Sequence, residues 1–204
     1  MTQVSMAALV AGVRSGRWLA SFPTDTVPAL AARPDQAALI FAVKQRQQNK
    51  PLILMAATPE ALWPFVQGTL EEWQVWQQVA YHYWPGALTL VLPASDLVPQ
   101  AMAPVGAETI GLRIPQWPIA QTLLQQTGPL ATTSVNLSGQ LPLQSLEAIE
   151  GQFPDVLTPL RCDWLLPEST AIPSTAKIRI PSTVVKWTGT GWEILRQGTV
   201  KFNI

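Results

Sequence analysis

Apolar positions along the chain fall into short blocks whose spacing switches repeatedly between that of a helix and that of a strand. Val4 to Val13 has small and apolar residues at helical spacing and predicts a first helix. Trp18 to Phe22 is an apolar run closed by Pro23, the form of a strand entering a loop. Asp35 is placed to cap a helix running to about Lys44, with Leu39, Ile40 and Val43 on its buried side. Leu52 to Ala56 reads as an interior strand, and Thr58-Pro59-Glu60 as a helix start. Between residues 70 and 84, Leu70, Trp73, Trp76, Val79, Ala80 and Tyr83 form a helical stripe that Trp84-Pro85-Gly86 ends. Further strands are expected at Leu88 to Leu92, Thr109 to Ile114 and Leu130 to Thr133, with a loop over 94–108. Helices are expected from Pro118 to about Gln126 and over 145–151. The tail, Thr183 to Trp187 and Trp192 to Arg196 across a Gly-containing turn, resembles an antiparallel pair.

Interleaved strands and helices predict a single α/β domain over residues 1–204, with a mixed, partly parallel sheet covered by helices. Hydrophobic residues make up 48% and charged residues 13%, enough apolar material for a sizeable core and too little charge for a disordered chain. The 19 prolines are dispersed among apolar segments, so they mark ordered loops and not a polyproline linker.

Formal net charge is 0, which excludes the strongly basic chain expected of a non-specific nucleic-acid coat. The distribution is uneven: residues 1–50 carry +4, residues 51–112 carry −5 and residues 113–204 carry +1. A polyanion pocket built from the first and last thirds is compatible with that pattern. Cys162 is the only cysteine and His82 the only histidine, so disulfide and multi-cysteine or multi-histidine metal sites are excluded within the chain. No secretion-signal layout and no long apolar run is present, and a cytoplasmic protein without membrane contact is expected.

Four polar clusters interrupt the apolar blocks. Phe22-Pro23-Thr24-Asp25-Thr26 follows a strand, as a ligand loop or a capped turn. Lys44-Gln45-Arg46-Gln47-Gln48-Asn49-Lys50 could hold a phosphate chain, or simply favour a helix C-terminus and solubility. Arg113 shares a strand face with Thr109 and Gly111, opposite Ile110, Leu112 and Ile114. Its partner is either an internal carboxylate or a ligand's, and Gly111 would let a ligand approach the backbone. The fourth cluster joins Thr132 to Gly139 with Pro181 to Val185 and Arg196, hydroxyls and amides suited to phosphate, ribose or amino-acid groups. His82, beside an aromatic stripe, reads as a packing or surface residue, and neither common nucleotide-binding glycine fingerprint occurs.

Seven fragments in order resemble the threonylcarbamoyl-AMP synthase family, in its short form built on a YrdC-like domain. They are Phe22-Pro23-Thr24-Asp25-Thr26; Lys44-x-Arg46 with Lys50-Pro51-Leu52-Ile53; Trp84 to Leu92; Gly111-Leu112-Arg113-Ile114-Pro115; Ser134 to Gly139; Ser182-Thr183-Val184-Val185; and Leu195-Arg196-Gln197-Gly198. Together they span about residues 10–200. The resemblance implies a twisted mixed sheet with helices on both sides and a concave, positive pocket. It implies formation of threonylcarbamoyl-adenylate and pyrophosphate from L-threonine, bicarbonate or CO2, and ATP with Mg²⁺. The product serves tRNA threonylcarbamoyladenosine modification, which implies transient contact with the tRNA-modifying proteins and weak tRNA binding.

By motif, Thr26, Arg113, Thr132 and Ser182 are implied to contact threonine. Arg46, Lys50, Thr109, Ser134, Asn136, Pro142 and Arg196 are implied to line the ATP site. Lys44, Arg46 and Lys50 are implied to supply positive field, with no covalent nucleophile and no protein-held metal. Three departures stand out: Val27-Pro28-Ala29-Leu30 where the family has Val-Tyr-Gly-Leu, Val135 where it has Ala, and Lys186 where it has an acid. The alternative function is a non-catalytic nucleotide- or RNA-binding paralogue using the same pocket. A carbamoyl-transfer domain of metalloenzyme maturation is a weaker rival, because Cys162 alone cannot supply that class's zinc-binding cysteines.

Overall fold

A computed structural model describes residues 2–47, 50–102, 108–164 and 179–203. In chain order the elements are β1 (Gln3–Val4), α1 (Met6–Arg14), β2 (Ala20–Phe22), β3 (Ala29–Ala32), α2 (Ala38–Val43), β4 (Ile53–Met55), α3 (Leu70–Tyr83) and β5 (Leu88–Pro93). They continue with β6 (Thr109–Arg113), α4 (Pro118–Thr127), β7 (Leu130–Ser134), α5 (Leu146–Gln152), β8 (Thr158–Pro159), α6 (Arg161–Trp164), β9 (Thr183–Trp187) and β10 (Trp192–Arg196). Eight strands form one sheet in the order β10-β9-β5-β6-β4-β7-β3-β2. The β4–β6 and β5–β9 pairs are parallel and the others antiparallel, so the sheet is mixed as expected. β1 and β8 form a separate parallel pair.

Local chemistry sets the helix ends. Thr69 and Glu72 form a reciprocal capping box on α3, satisfying two otherwise orphaned N–H groups. Ser5 caps α1 and Ser145 caps α5 through their hydroxyls. α4 starts on Pro118 and ends at Gly128, whose φ of 79° is one that glycine adopts without strain. Asp35 does not cap α2: its carboxylate pairs with Arg33, and the helix begins later, at Ala38. The start expected at Thr58 yields only a 3-10 turn, Pro59–Ala61. In the loop expected over 94–108, residues 103–107 lie outside the described residues. His82 is exposed, edge-on to Tyr83.

Alternation along the strands divides the sheet into two unlike faces. Leu52, Leu54, Leu88, Leu90, Leu92, Ile110, Leu112 and Ile114 enter one apolar core with Trp76 and Val79 of α3 and Ile40 and Phe41 of α2. On the other face α1 and α4 cover only the β2–β3–β7 end, through Leu9, Val13, Ala120, Leu123 and Leu124. Among the described residues, no helix lies over the middle of that second face, across β4, β6, β5 and β9. A cavity of about 480 Å³ occupies the gap.

The β10 edge closes one side. A bulge between Ile194 and Arg196 shifts the register, which lets two successive residues, Leu195 and Arg196, both reach the cavity. Gly198 follows, packed on the chain beneath. A Cβ there would stand 2.3 Å from Pro181 O, 2.4 Å from Ser182 C and 2.4 Å from Thr183 N, all backbone atoms that cannot swing away. Gly198→Ala is therefore expected to destabilise the fold by about 2–3 kcal/mol. In a melting experiment that is a fall of about 5–10 °C for a domain of this size.

Candidate active site

The cavity floor is three rows of residues running across the strands. One row carries Val184, Thr89, Arg113 and Met55. The next carries Lys186, Val91, Gly111, Ile53 and Thr132, linked by register from β9 to β7. The third carries Thr109, Pro51 and Ser134. Five cationic side chains line the cavity, namely Arg46, Lys50, Arg113, Lys186 and Arg196, and no carboxylate does among the described residues.

Arg113 anchors one end. It is 3% exposed, and its Nη2 donates to Asp25 Oδ1 at 2.7 Å, Nη1 to Thr26 Oγ1 at 2.7 Å and Nε to Gly86 O at 3.2 Å. The internal carboxylate left open by the sequence is thus Asp25. Burial pulls Arg113 below its ordinary value and the charge of Asp25 opposes that. A guanidinium has five N–H donors, so two stay available for a ligand carboxylate after these three bonds. Thr24 accepts from Thr26 N at 3.1 Å and donates to Val27 O at 2.8 Å, a local turn that fixes the Thr26 hydroxyl. Thr89 Oγ1 and Ser182 Oγ lie 2.8 Å apart. The result is a corner of hydroxyls around the Arg113 guanidinium.

Arg196 joins this corner: its Nε donates to Ser182 O at 3.0 Å and Nη2 to Ser182 Oγ at 3.3 Å. Burial, then the charge of Arg113, lower its pKa. The opposite end holds Thr109, Ser134, Arg46 and Lys50. Arg46 Nη2 donates to Pro51 O at 3.1 Å, its Nε is buried without a partner, and burial lowers its pKa. Lys50 is exposed at the rim.

Nine of the sequence-derived residues line the one cavity: Thr26, Arg46, Lys50, Thr109, Arg113, Thr132, Ser134, Ser182 and Arg196. Lys44, Asn136 and Pro142 are not in its wall. Lys44 is fully buried, and its ammonium donates to Ser134 O at 2.5 Å, Asn136 O at 2.6 Å and Asn136 Oδ1 at 3.1 Å. Burial, and secondarily the charge of Arg46, pull it down to about 7. Three acceptors match the three donors of the charged form. Asn136 is equally spent, accepting from Ser134 Oγ at 2.6 Å and donating to Leu137 O and Gln140 O. Both residues hold the Ser134–Gly139 loop in place instead of facing a ligand.

The sequence singled out Asp25 only as part of the Phe22–Thr26 loop and Thr89 only within the Trp84–Leu92 fragment, and it did not point to Arg179. Thr89 was signalled by alternation, as the lone hydroxyl among Leu88, Leu90 and Leu92. Arg179 Nη1 donates to Thr24 O at 2.9 Å and its guanidinium lies 4.5 Å over the Trp117 ring. No local pattern marks it.

The family model described as Telomere recombination, covering Sua5, YciO and YrdC, matches residues 13–198. The chain is 35% identical over 138 residues to a threonylcarbamoyl-AMP synthase of Yersinia enterocolitica, covering 65% of this chain and 71% of that protein. It is 34% identical over 149 residues to one of Vibrio vulnificus, covering 71% and 78%. The crystal structure of Pyrococcus abyssi Sua5 complexed with L-threonine superposes with a TM-score of 0.79 at 29% identity, over 94% of this chain and 53% of that one. The chain thus spans about half the length of the Pyrococcus protein. A mixed-sheet α/β fold of the YrdC type is shared with these structures. The chain belongs to the YrdC/Sua5-like threonylcarbamoyl-AMP synthase family. Kinship to an enzyme family supports a catalytic role. Among the described residues no helix is long and apolar enough to cross a membrane.

Lys44→Met is expected to remove the ammonium donor from Ser134 O and Asn136 O, and from Asn136 Oδ1, which keeps Ser134 Oγ, and to cost about 2–4 kcal/mol. Chemical denaturation followed by tryptophan fluorescence checks this, and the unfolding midpoint falls while the slope is unchanged.

Proposed function

We propose that the chain is an L-threonylcarbamoyladenylate synthase, joining L-threonine, bicarbonate-derived CO2 and ATP. The observation that carries this reading is one cavity with a hydroxyl-lined cationic corner at Arg113 and a cationic wall at Arg46 and Lys50, with no carboxylate in its lining among the described residues. The corner suits an amino acid, and the wall suits a triphosphate. Threonine in the Pyrococcus Sua5 structure supports the first of these.

In this mechanism the threonine amine adds to CO2 and loses a proton, giving a carbamate. A carbamate oxygen attacks the α-phosphorus, the bond from that phosphorus to the bridging oxygen breaks, and its electron pair leaves with pyrophosphate. No enzyme nucleophile is required. The protein's part is to hold two anions in line and to offset charge on the departing pyrophosphate. Mg²⁺ enters as the counter-ion of ATP. The mixed anhydride formed is reactive, so we also propose transfer to tRNA-modifying proteins that contact this chain transiently.

The test is pyrophosphate release from MgATP with and without L-threonine and bicarbonate, with threonylcarbamoyl-adenylate sought by mass. Product dependent on both co-substrates is expected. Folded protein that binds ATP yet makes none would instead favour the non-catalytic nucleotide- or RNA-binding paralogue. Arg46→Ala is expected to raise the ATP KM about tenfold or more with little change in that for threonine. Arg113→Lys keeps the charge but loses the planar fork, and should raise the threonine KM by a similar factor. Steady-state kinetics with each substrate varied in turn separates the two.

A further inference from the structure

We infer that Gly111 is a positioning element of the site, kept without a side chain so that the two halves of the ligand can meet against the bare backbone of β6. The inference rests on the synthase reading and assigns a place to the bond-forming atoms within it.

Glycine in the interior of a strand weakens it, so its presence needs a reason. Backbone conformation is not the reason. Among the described residues the positive-φ glycines are Gly16, Gly128, Gly139 and Gly189, and Gly111 lies in regular ladders with β4 and β5. Packing is not the reason either. A Cβ at Gly111 would sit 3.4 Å from Ile53 Cγ1 and 3.5 Å from Thr89 Cγ2, ordinary contact distances. At Gly198, in contrast, the same atom would strike backbone at 2.3 Å. Ile110 and Leu112 on either side point into the opposite core, so the missing side chain is one that would project into the cavity.

Position then says what the space is for. Gly111 lies two residues from Arg113 and two from Thr109 along β6. At strand rise that is about 7 Å from the amino-acid corner and about 7 Å from the wall that carries Thr109. Across the sheet it is flanked by Val91 and Ile53, apolar and without a charge of their own. A carbamate built on an amino acid in the corner and an α-phosphate held from the wall approach each other over this point. A methyl group here leaves each half-site intact and fills the space between them.

The experiment compares wild type with Gly111→Ala in melting temperature, in KM for each substrate and in kcat for pyrophosphate release. The variant is expected to melt at or above the wild-type temperature, with both KM values within about threefold. Its kcat should fall about 30-fold or more, as misplacement of reacting groups by a fraction of a bond length does. A melting temperature lowered by several degrees would show that glycine serves the fold and overturn the inference. An unchanged kcat, or a loss confined to the KM of one substrate, overturns it as well. Wild-type protein that releases no pyrophosphate sinks the synthase reading instead. Ligand-induced stabilisation by ATP and L-threonine together then decides Gly111: a joint shift in wild type that Gly111→Ala lacks supports it, and equal shifts, or none in either, overturn it.

Discussion

The Arg113–Asp25 pair is the constraint on which the hydroxyl-lined corner of the cavity depends. Taking a guanidinium out of water is expensive, and the cost is offset only by an opposite charge and hydrogen bonds of good geometry. Asp25, the Thr26 hydroxyl and the Gly86 carbonyl meet it from two different loops. Asp25 also accepts from Gln116 N at 3.0 Å, tying in the segment that leads to α4. One buried cation thus fixes the loop after β2, the approach to β5 and the exit from β6 relative to one another. Thr26 could not present its hydroxyl reproducibly without it. Because the partner is internal, the cation is already paid for, and a ligand carboxylate meets donors that are oriented in advance.

The sheet solves a second problem, which is how to expose a polar floor without losing the core. Leucines and isoleucines on one face supply most of the apolar burial, against α2 and α3. That frees the other face of β4, β6, β5 and β9 to carry threonines, a glycine and cations. α1 and α4 cover only the alanine-rich end, where small side chains let helices and strands approach closely. Cations in the molecule divide accordingly. Lys44 is consumed as an internal clamp on the Ser134–Gly139 loop, whereas Arg46, Lys50 and Lys186 reach the cavity without a carboxylate partner among the described residues.

Most of the strand order along the chain was legible because alternation is strong wherever one face is core and the other is floor. Leu88-Thr89-Leu90-Val91-Leu92 and Thr109 to Ile114 are the clearest cases. β3 was not legible: Ala29-Leu30-Ala31-Ala32 is buried on both faces, so it has no alternation, and alanine carries no strand preference. β1 and β8, two residues each, are too short to leave a period. Of the site, the residue types and their convergence could be read from the motifs. Which way each side chain turned could not. Lys44 and Arg46 are two residues apart at a helix end, and only the tertiary position of the Ser134 loop decides that the first goes inward and the second outward.

The same reasoning bears on the departures from the family pattern. Ala29 stands where the family pattern has glycine. Ala29 pairs with Phe22 on one side and Ser134 on the other, in extended backbone that any residue adopts. Pro28 lacks a donor, yet its carbonyl still accepts from Val135 N at 3.1 Å, so the contact between the two cavity loops survives. Neither change disturbs the backbone frame, and what is lost at position 28 is an aromatic ring at the cavity wall. Lys186 differs in kind. It lies on the Gly111 row, one strand beyond Val91, and opposes Glu193 in register on β10. Substituting a cation for an acid there makes the β9 side of the floor more positive and adds to the field that Arg46, Lys50, Arg113 and Arg196 already supply.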